Sequence, residues 1–315
     1  MPSDEWPVGT RASARVAVRR QAALAVLLGF TFPGLAAAGP ITFNTALPVH
    51  AGELIFRQQA IWLRATDDPT PLERGLDVFA YPTVLVYGVN PRVTLFGVLP
   101  FLDKNLELTT PSGRITRGTS GFGDLTTFVR VTALAINRRG ETIRLAPLVG
   151  VKLPTGADDE ADDLGRLPQP LQLGSGSWDP LLGAVFTWQK LRWEMDVSGS
   201  YQIRTEANDF EAGDEARAEA SFQYRVVPRG KLGSGVPSYL FVVLETNAVW
   251  RGRNRVSGIA DPNSGGFRLY VAPGLQWITT RTVVEAAVQI PVVQRTNGLG
   301  LREDFVARLS FRVNF

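Results

Sequence analysis

The chain has 315 residues, 44% of them hydrophobic and 20% charged, which is too apolar for disorder and too evenly polar for a bundle of membrane helices. With no cysteine and a single histidine, His50, thiol chemistry, disulfide frameworks and multi-histidine metal sites are excluded. Four of the 33 basic and two of the 30 acidic residues lie in the first 38 positions, leaving 29 against 28, so the net charge of +3 gives no case for a nucleic-acid partner.

The first element is an export signal. Arg11, Arg15, Arg19 and Arg20 precede the apolar run Ala22–Phe30, and Ala36-Ala37-Ala38 follows. A basic region, a short apolar core and a small-residue site make a secretory signal peptide over 1–38, cleaved after Ala38. Pro33 and Gly34 interrupt the run well short of the roughly 20 residues a spanning helix needs. A short periplasmic segment, 39–52, is expected next, and a barrel over 53–315.

From there apolar and polar residues alternate over windows of about ten residues, the span of a tilted membrane strand. Strands are expected at 53–66, 76–88, 91–102, 122–137, 141–154, 177–189, 192–205, 214–227, 238–251, 266–279, 282–293 and 302–315. The first alternates poorly, which leaves its register open. The seventh is clear, with Trp193, Met195, Val197 and Tyr201 on one face and Glu194, Asp196, Ser198 and Ser200 on the other. In the last, Phe305, Ala307, Leu309, Phe311, Val313 and Phe315 oppose Val306, Arg308, Ser310, Arg312 and Asn314.

A soluble sandwich also alternates. Here the strand count is even, and Trp188, Trp193, Trp250 and Trp277 sit at strand ends, as interfacial girdles require. Short turns at Val89-Asn90, 137–140, Lys190-Leu191 and Thr280-Arg281 interleave with polar loops at 67–75, 103–121, 155–176, 206–213, 252–265 and 294–301; only 228–237 is of middling length. The terminal Phe315 matches the aromatic signal read by outer-membrane assembly machinery. The expected fold is all-β: a transmembrane antiparallel up-and-down β-barrel of about 12 strands in the bacterial outer membrane, with both termini periplasmic.

Gly123-Asp124-Leu125, Gly150-Val151-Lys152-Leu153-Pro154-Thr155-Gly156 and Gly174-Ser175-Gly176-Ser177-Trp178-Asp179-Pro180 form an ordered set of motifs. Trp250-Arg251-Gly252-Arg253 and Asp261-Pro262-Asn263-Ser264-Gly265-Gly266 continue it. From about Gly75 to Phe315 the chain resembles the meta-pathway phenol-degradation family of outer-membrane β-barrel proteins, often labelled simply "transporter". The resemblance implies a barrel and passage of small compounds, aromatic ones among them. It supplies no catalytic residues.

No catalytic centre emerges from the residues themselves. His50 precedes the first strand beside Pro48 and Gly52 and reads as a surface histidine, without the partner that base catalysis needs. The acidic run Asp158-Asp159-Glu160, Asp162-Asp163 lacks the spacing of a calcium loop and reads as a solvated loop. The glycine-serine stretches read as turns rather than phosphate loops. Trp178 reads as an interfacial residue at a strand start. The informative set is the charges that alternation turns inward: Arg130, Arg144, Lys152, Arg192, Glu194, Asp196, Glu215, Arg217, Glu219, Arg225, Glu245, Arg251, Arg268, Glu285, Arg308 and Arg312. Facing lipid at mid-depth, each Arg or Lys would cost about 2–4 kcal/mol. On the same assignment arginine should be excluded at Leu309 and accepted at Ser310. The expected function is a channel or transporter for passive passage of small solutes, with outer-membrane lipid, the assembly machinery and the solute as partners. No enzyme activity, cofactor or metal is expected, and the oligomeric state stays open. The alternative is a structural, ligand-binding or adhesive barrel with a plugged lumen.

Overall fold

The computed structural model describes residues 38–228 and 238–315. The expected signal peptide, up to residue 37, and most of the 228–237 connection lie outside the described residues. The barrel strands are β1 (Leu54–Ala65), β2 (Gly75–Asn90), β3 (Val93–Thr110), β4 in three pieces (Gly113–Phe122, Thr126–Val131, Leu134–Arg138) and β5 (Glu141–Lys152). They continue as β6 (Asp179–Lys190), β7 (Trp193–Gln202), β8 (Glu215–Val227), β9 (Tyr239–Arg251), β10 (Gly266–Ile278), β11 (Thr282–Thr296) and β12 (Phe305–Asn314). Each pairs antiparallel with its sequence neighbours. The last strand pairs with the first, from Ile55 opposite Asn314 to Arg64 opposite Phe305. The result is a closed twelve-strand barrel, in which no long strand edge is left unpaired.

Register fixes which residues face lipid, because paired residues share a face. Leu309 opposes both Ala60 and Ala286, and all three turn outward. Leu309, Leu275, Leu244 and Val149 are exposed, a placement that only a lipid solvent makes favourable. Aromatic side chains mark both rims. Trp188 and Trp193 meet edge-to-face near the short turns, with the Lys190 ammonium over both rings. Trp178 and Trp250 lie exposed at the long-loop end.

Three sequence expectations change. The expected loop 103–121 is a hairpin: β3 runs to Thr110, turns at Pro111-Ser112 and returns as the first piece of β4. Its Asp103-Lys104-Asn105 breaks the apolar alternation that marks a membrane strand, since above the bilayer neither face has to be apolar. The fourth strand is interrupted twice. At residues 123–125 the chain leaves the ladder, with the Gly123 N–H still donating to the Pro100 carbonyl at 2.9 Å. At 132–133 it leaves again opposite Pro147, which has no N–H to offer.

The largest change concerns the residues before β1. The segment expected to lie in the periplasm instead has its residues 38–49 inside the barrel. The Ile41 and Thr42 N–H groups donate to Glu245 on β9 (2.7 and 3.0 Å), and the Ala46 N–H donates to Thr187 on β6 (2.7 Å). Arg57 on β1 and Gln276 on β10 donate to the Ile41 and Gly39 carbonyls. Only a chain crossing the lumen can touch all of these strands. Ala38, Ile41, Phe43, Ala46 and Val49 are buried there, and Ala38 packs on Ile278 and Val283 near the short-turn end.

Candidate functional site

On β1 and β6–β12 the lumen wall around this plug is a hydrogen-bonded belt, whereas β2–β5 set Val86, Phe96, Phe128 and Ala146 against Val49 and Ala46. Glu285 on β11 accepts from Arg57 (2.5 Å), Ser310 (2.8 Å) and Gln276 (2.6 Å). Glu245 accepts from Ser221 (3.0 Å) besides its plug donors, and Asn247 joins Thr42 to Gln289. On β7, Glu194 accepts from Gln189 (2.6 Å), while Asp196 accepts from Thr187 and from Gln223 (3.1 Å). A buried backbone without partners would be costly; the belt supplies acceptors for the plug's N–H groups and donors for its carbonyls. The polar wall and the polar backbone of the plug therefore explain each other.

Among the sequence-derived inward charges, Arg130, Lys152, Glu194, Asp196, Glu215, Glu219, Glu245 and Glu285 are buried. Arg217 and Arg251 clasp Glu215 from two strands, each at 2.5 Å, and Arg217 lies 3.9 Å from Glu219. Arg268 pairs with Glu303 at 3.3 Å, Arg308 donates to Gln289 at 2.9 Å, and Arg225 sits over the Tyr239 ring. Arg144 and Arg312 border a cavity at the short-turn end. Arg192 differs: it lies exposed in the turn before β7, outside the strand that was expected to carry it. Position 310 also differs, because Ser310 is 2% exposed between Arg57 and Glu285, so the wall has no room for arginine there.

Sequence reasoning missed Arg57, Thr187, Asn247 and Gln276. The uncharged amides and hydroxyls were the available signal. In a water-filled lumen charged groups hydrate freely, whereas neutral donor-acceptor groups at mid-wall match a fixed peptide backbone.

The ordered motifs meet at the long-loop end. Asp124 accepts from Lys152 (2.7 Å) and from the Gly156 and Ser175 N–H groups (2.9 and 3.0 Å). Lys152 also reaches Asp179 at 3.0 Å, and Asp179 receives Arg204 at 3.2 Å and Ser177 at 2.9 Å. Here Gly123, Gly156 and Gly174 pack backbone to backbone: a Cβ on Gly156 would lie 2.9 Å from Gly123 and 3.0 Å from Gly174. Glycine is required for that approach. The later motif clamps its own loop, with the Asn254 N–H on Ser264 at 2.8 Å, and ties it to the next, with the Leu299 N–H on Asn263 at 2.9 Å.

Other outer-loop charges are paired locally. Asp162 of the acidic run receives Arg117 through two bonds of 2.8 Å, which hold its carboxyl below the usual range. Burial works against ionisation of Asp68, but Arg74, Thr70 and two backbone N–H groups outweigh it and hold that carboxyl low as well. His50 is exposed and contacts Glu53 at 3.2 Å.

A family model described as "Putative MetA-pathway of phenol degradation" matches residues 71–300, most of the barrel. The chain belongs to that family. Among solved structures, this phenol-degradation family barrel is similar to an outer membrane channel from Pseudomonas putida F1, at 17% identity and a TM-score of 0.66, over 89% of this chain and 100% of that one. Looser overlaps are the beta domain of the Bordetella autotransporter BrkA (10% identity, TM-score 0.42, 84% and 100% coverage) and the CymD monoaromatic hydrocarbon channel (10%, 0.36, 85% and 89%). A search of curated proteins finds no match. Family and fold make it an outer-membrane barrel of the bacterial cell.

Proposed function

We propose that this barrel passes small solutes passively across the outer membrane, along a lumen narrowed by its own residues 39–49. The observation that carries the reading is the contrast between wall and filling. Much of the interior wall carries charged and amide side chains, and a single chain segment occupies the lumen, touching apolar wall residues in small separate clusters such as Val49 with Val86, Phe96 and Phe128. Charges of both signs at close quarters, as in Arg217 between Glu215 and Glu219, set selectivity for what moves past them. The family's name raises small aromatic compounds as candidate solutes, and the Pseudomonas structure is a channel. The inward charges act here as path-lining groups, with no catalytic role. Cleavage after Ala38 and reading of Phe315 by the assembly machinery belong to the same proposal.

The test is uptake by liposomes at pH 8, where small carboxylic acids are ionised and cross bare lipid poorly. Vesicles holding the purified barrel should take up benzoate and small aliphatic acids faster than protein-free vesicles. The many bonds between plug and wall favour a second reading, a barrel that is closed and structural. Rates equal to protein-free vesicles for every solute would establish that reading instead.

A further inference from the structure

At the short-turn end a cavity of about 340 Å3 opens between residues 44–50 and the inner wall, within the roughly 300–1,000 Å3 range of small-molecule sites. Its charged lining is one-sided. Arg57, Arg130, Arg144 and Arg312 border it, with Glu53 as the one carboxylate among the described residues. Glu285 neutralises Arg57, and Glu53 receives the Asn314 amide at 3.1 Å. Arg130 donates to the Thr45 and Leu47 carbonyls. Arg144 donates to the Ile136 and Ile143 carbonyls (3.2 and 2.9 Å) and to the Asn137 amide oxygen (2.7 Å). Carbonyl and amide oxygens satisfy these donors without cancelling their charge. Neither guanidinium meets a carboxylate within ion-pair reach among the described residues, and the Arg144 Nε, itself shielded from solvent, has no acceptor. Ile55, Val84 and Val86 supply an apolar wall to the same cavity.

We propose that this cavity is a binding subsite for organic monoanions, with the carboxylate held by Arg130 and Arg144 and the apolar body set against Val84 and Val86. The proposal rests on the channel reading above and places the subsite at the periplasmic end of the path. Guanidinium groups take carboxylates in a planar fork, so an acid should be held and its neutral amide rejected.

The experiment is calorimetric titration of hexanoate and hexanamide into the purified, detergent-solubilised barrel. Hexanoate should bind, with hexanamide at least tenfold weaker. Arg144→Gln should weaken hexanoate about tenfold and Arg144→Lys should recover part of the loss, each variant first checked for folding by heat-modifiable mobility. Thr142→Asp, which adds a carboxylate at the neighbouring inward position of β5, should weaken hexanoate too and serves if Arg144→Gln does not fold. Absent hexanoate binding, equal affinity for acid and amide, or affinity unmoved by both Arg144→Gln and Thr142→Asp would overturn the subsite. The titration needs no passage through a membrane. Solute uptake without saturable hexanoate binding therefore overturns the subsite alone, and binding without uptake overturns the channel alone.

Discussion

Glu245→Ala should release the front of the plug and raise the conductance of the barrel several-fold. Glu245 is fully buried and is the acceptor for two consecutive plug N–H groups, Ile41 and Thr42, and for the Thr42 hydroxyl at 2.5 Å. Hydrogen bonds to a charged group contribute about 1.5–3 kcal/mol each. Alanine removes all three plug bonds, and that of Ser221, and leaves two N–H groups without acceptors, a loss larger than what holds this end otherwise, the bonds from Arg57 and Gln276 to the Ile41 and Gly39 carbonyls. Thr45, Ala46 and Leu47 keep their bonds to Thr187 and Arg130, so the change should free one end only. Glu245→Gln retains an amide oxygen as acceptor and should give an intermediate conductance. Proteinase K added to the purified barrel should cut near Phe43 in the alanine variant and spare the parent. Unchanged conductance and protection in Glu245→Ala would show that this carboxylate does not hold the plug.

Leu309→Arg should abolish most assembly. Leu309 is 57% exposed at the middle of β12, opposite Ala60 and Ala286 on the lipid face. A guanidinium at mid-depth costs about 2–4 kcal/mol, a large share of typical stability. Leu309→Met, apolar and of similar volume, should assemble normally. Ser310→Arg should also assemble poorly, for another reason: its neighbours Arg57 and Glu285 are packed against the plug, and overfilling such a site costs about 1–3 kcal/mol. Folded yield by heat-modifiable electrophoretic mobility separates the cases. Removing residues 39–49 should rescue Ser310→Arg in part and leave Leu309→Arg unassembled.

The lipid-facing half of the molecule was legible because the bilayer imposes one rule on every strand. β7, β8 and β12 obey it, and their inward residues lie where alternation places them. β1 was not legible, since it turns Gln58 outward to Thr83, whose hydroxyl donates at 2.7 Å, and Ile61 inward opposite Arg308. A plugged lumen tolerates inward apolar groups, which blurs the alternation. The plug itself carried no periodic signal. Ile41, Phe43, Ala46 and Val49 are spaced to fit gaps in a wall supplied by distant strands, and no local pattern encodes that wall. The 103–121 hairpin escaped because it extends past the region where lipid enforces an apolar face.

On the proposed function, solutes move through the lumen past residues 39–49, and displacing this segment widens the path. Because the chain has no cysteine, one introduced pair tests this without competing thiols. The Thr45 and Thr187 hydroxyl oxygens lie 3.0 Å apart, so Thr45→Cys with Thr187→Cys places two sulfurs where a disulfide can tie the plug to β6. Single-channel current should be recorded from this variant in a planar bilayer while a reductant is added. The oxidised barrel should show a low conductance that rises when the disulfide is reduced. An identical conductance before and after reduction, with the bond confirmed by mass spectrometry, would contradict passage past this segment.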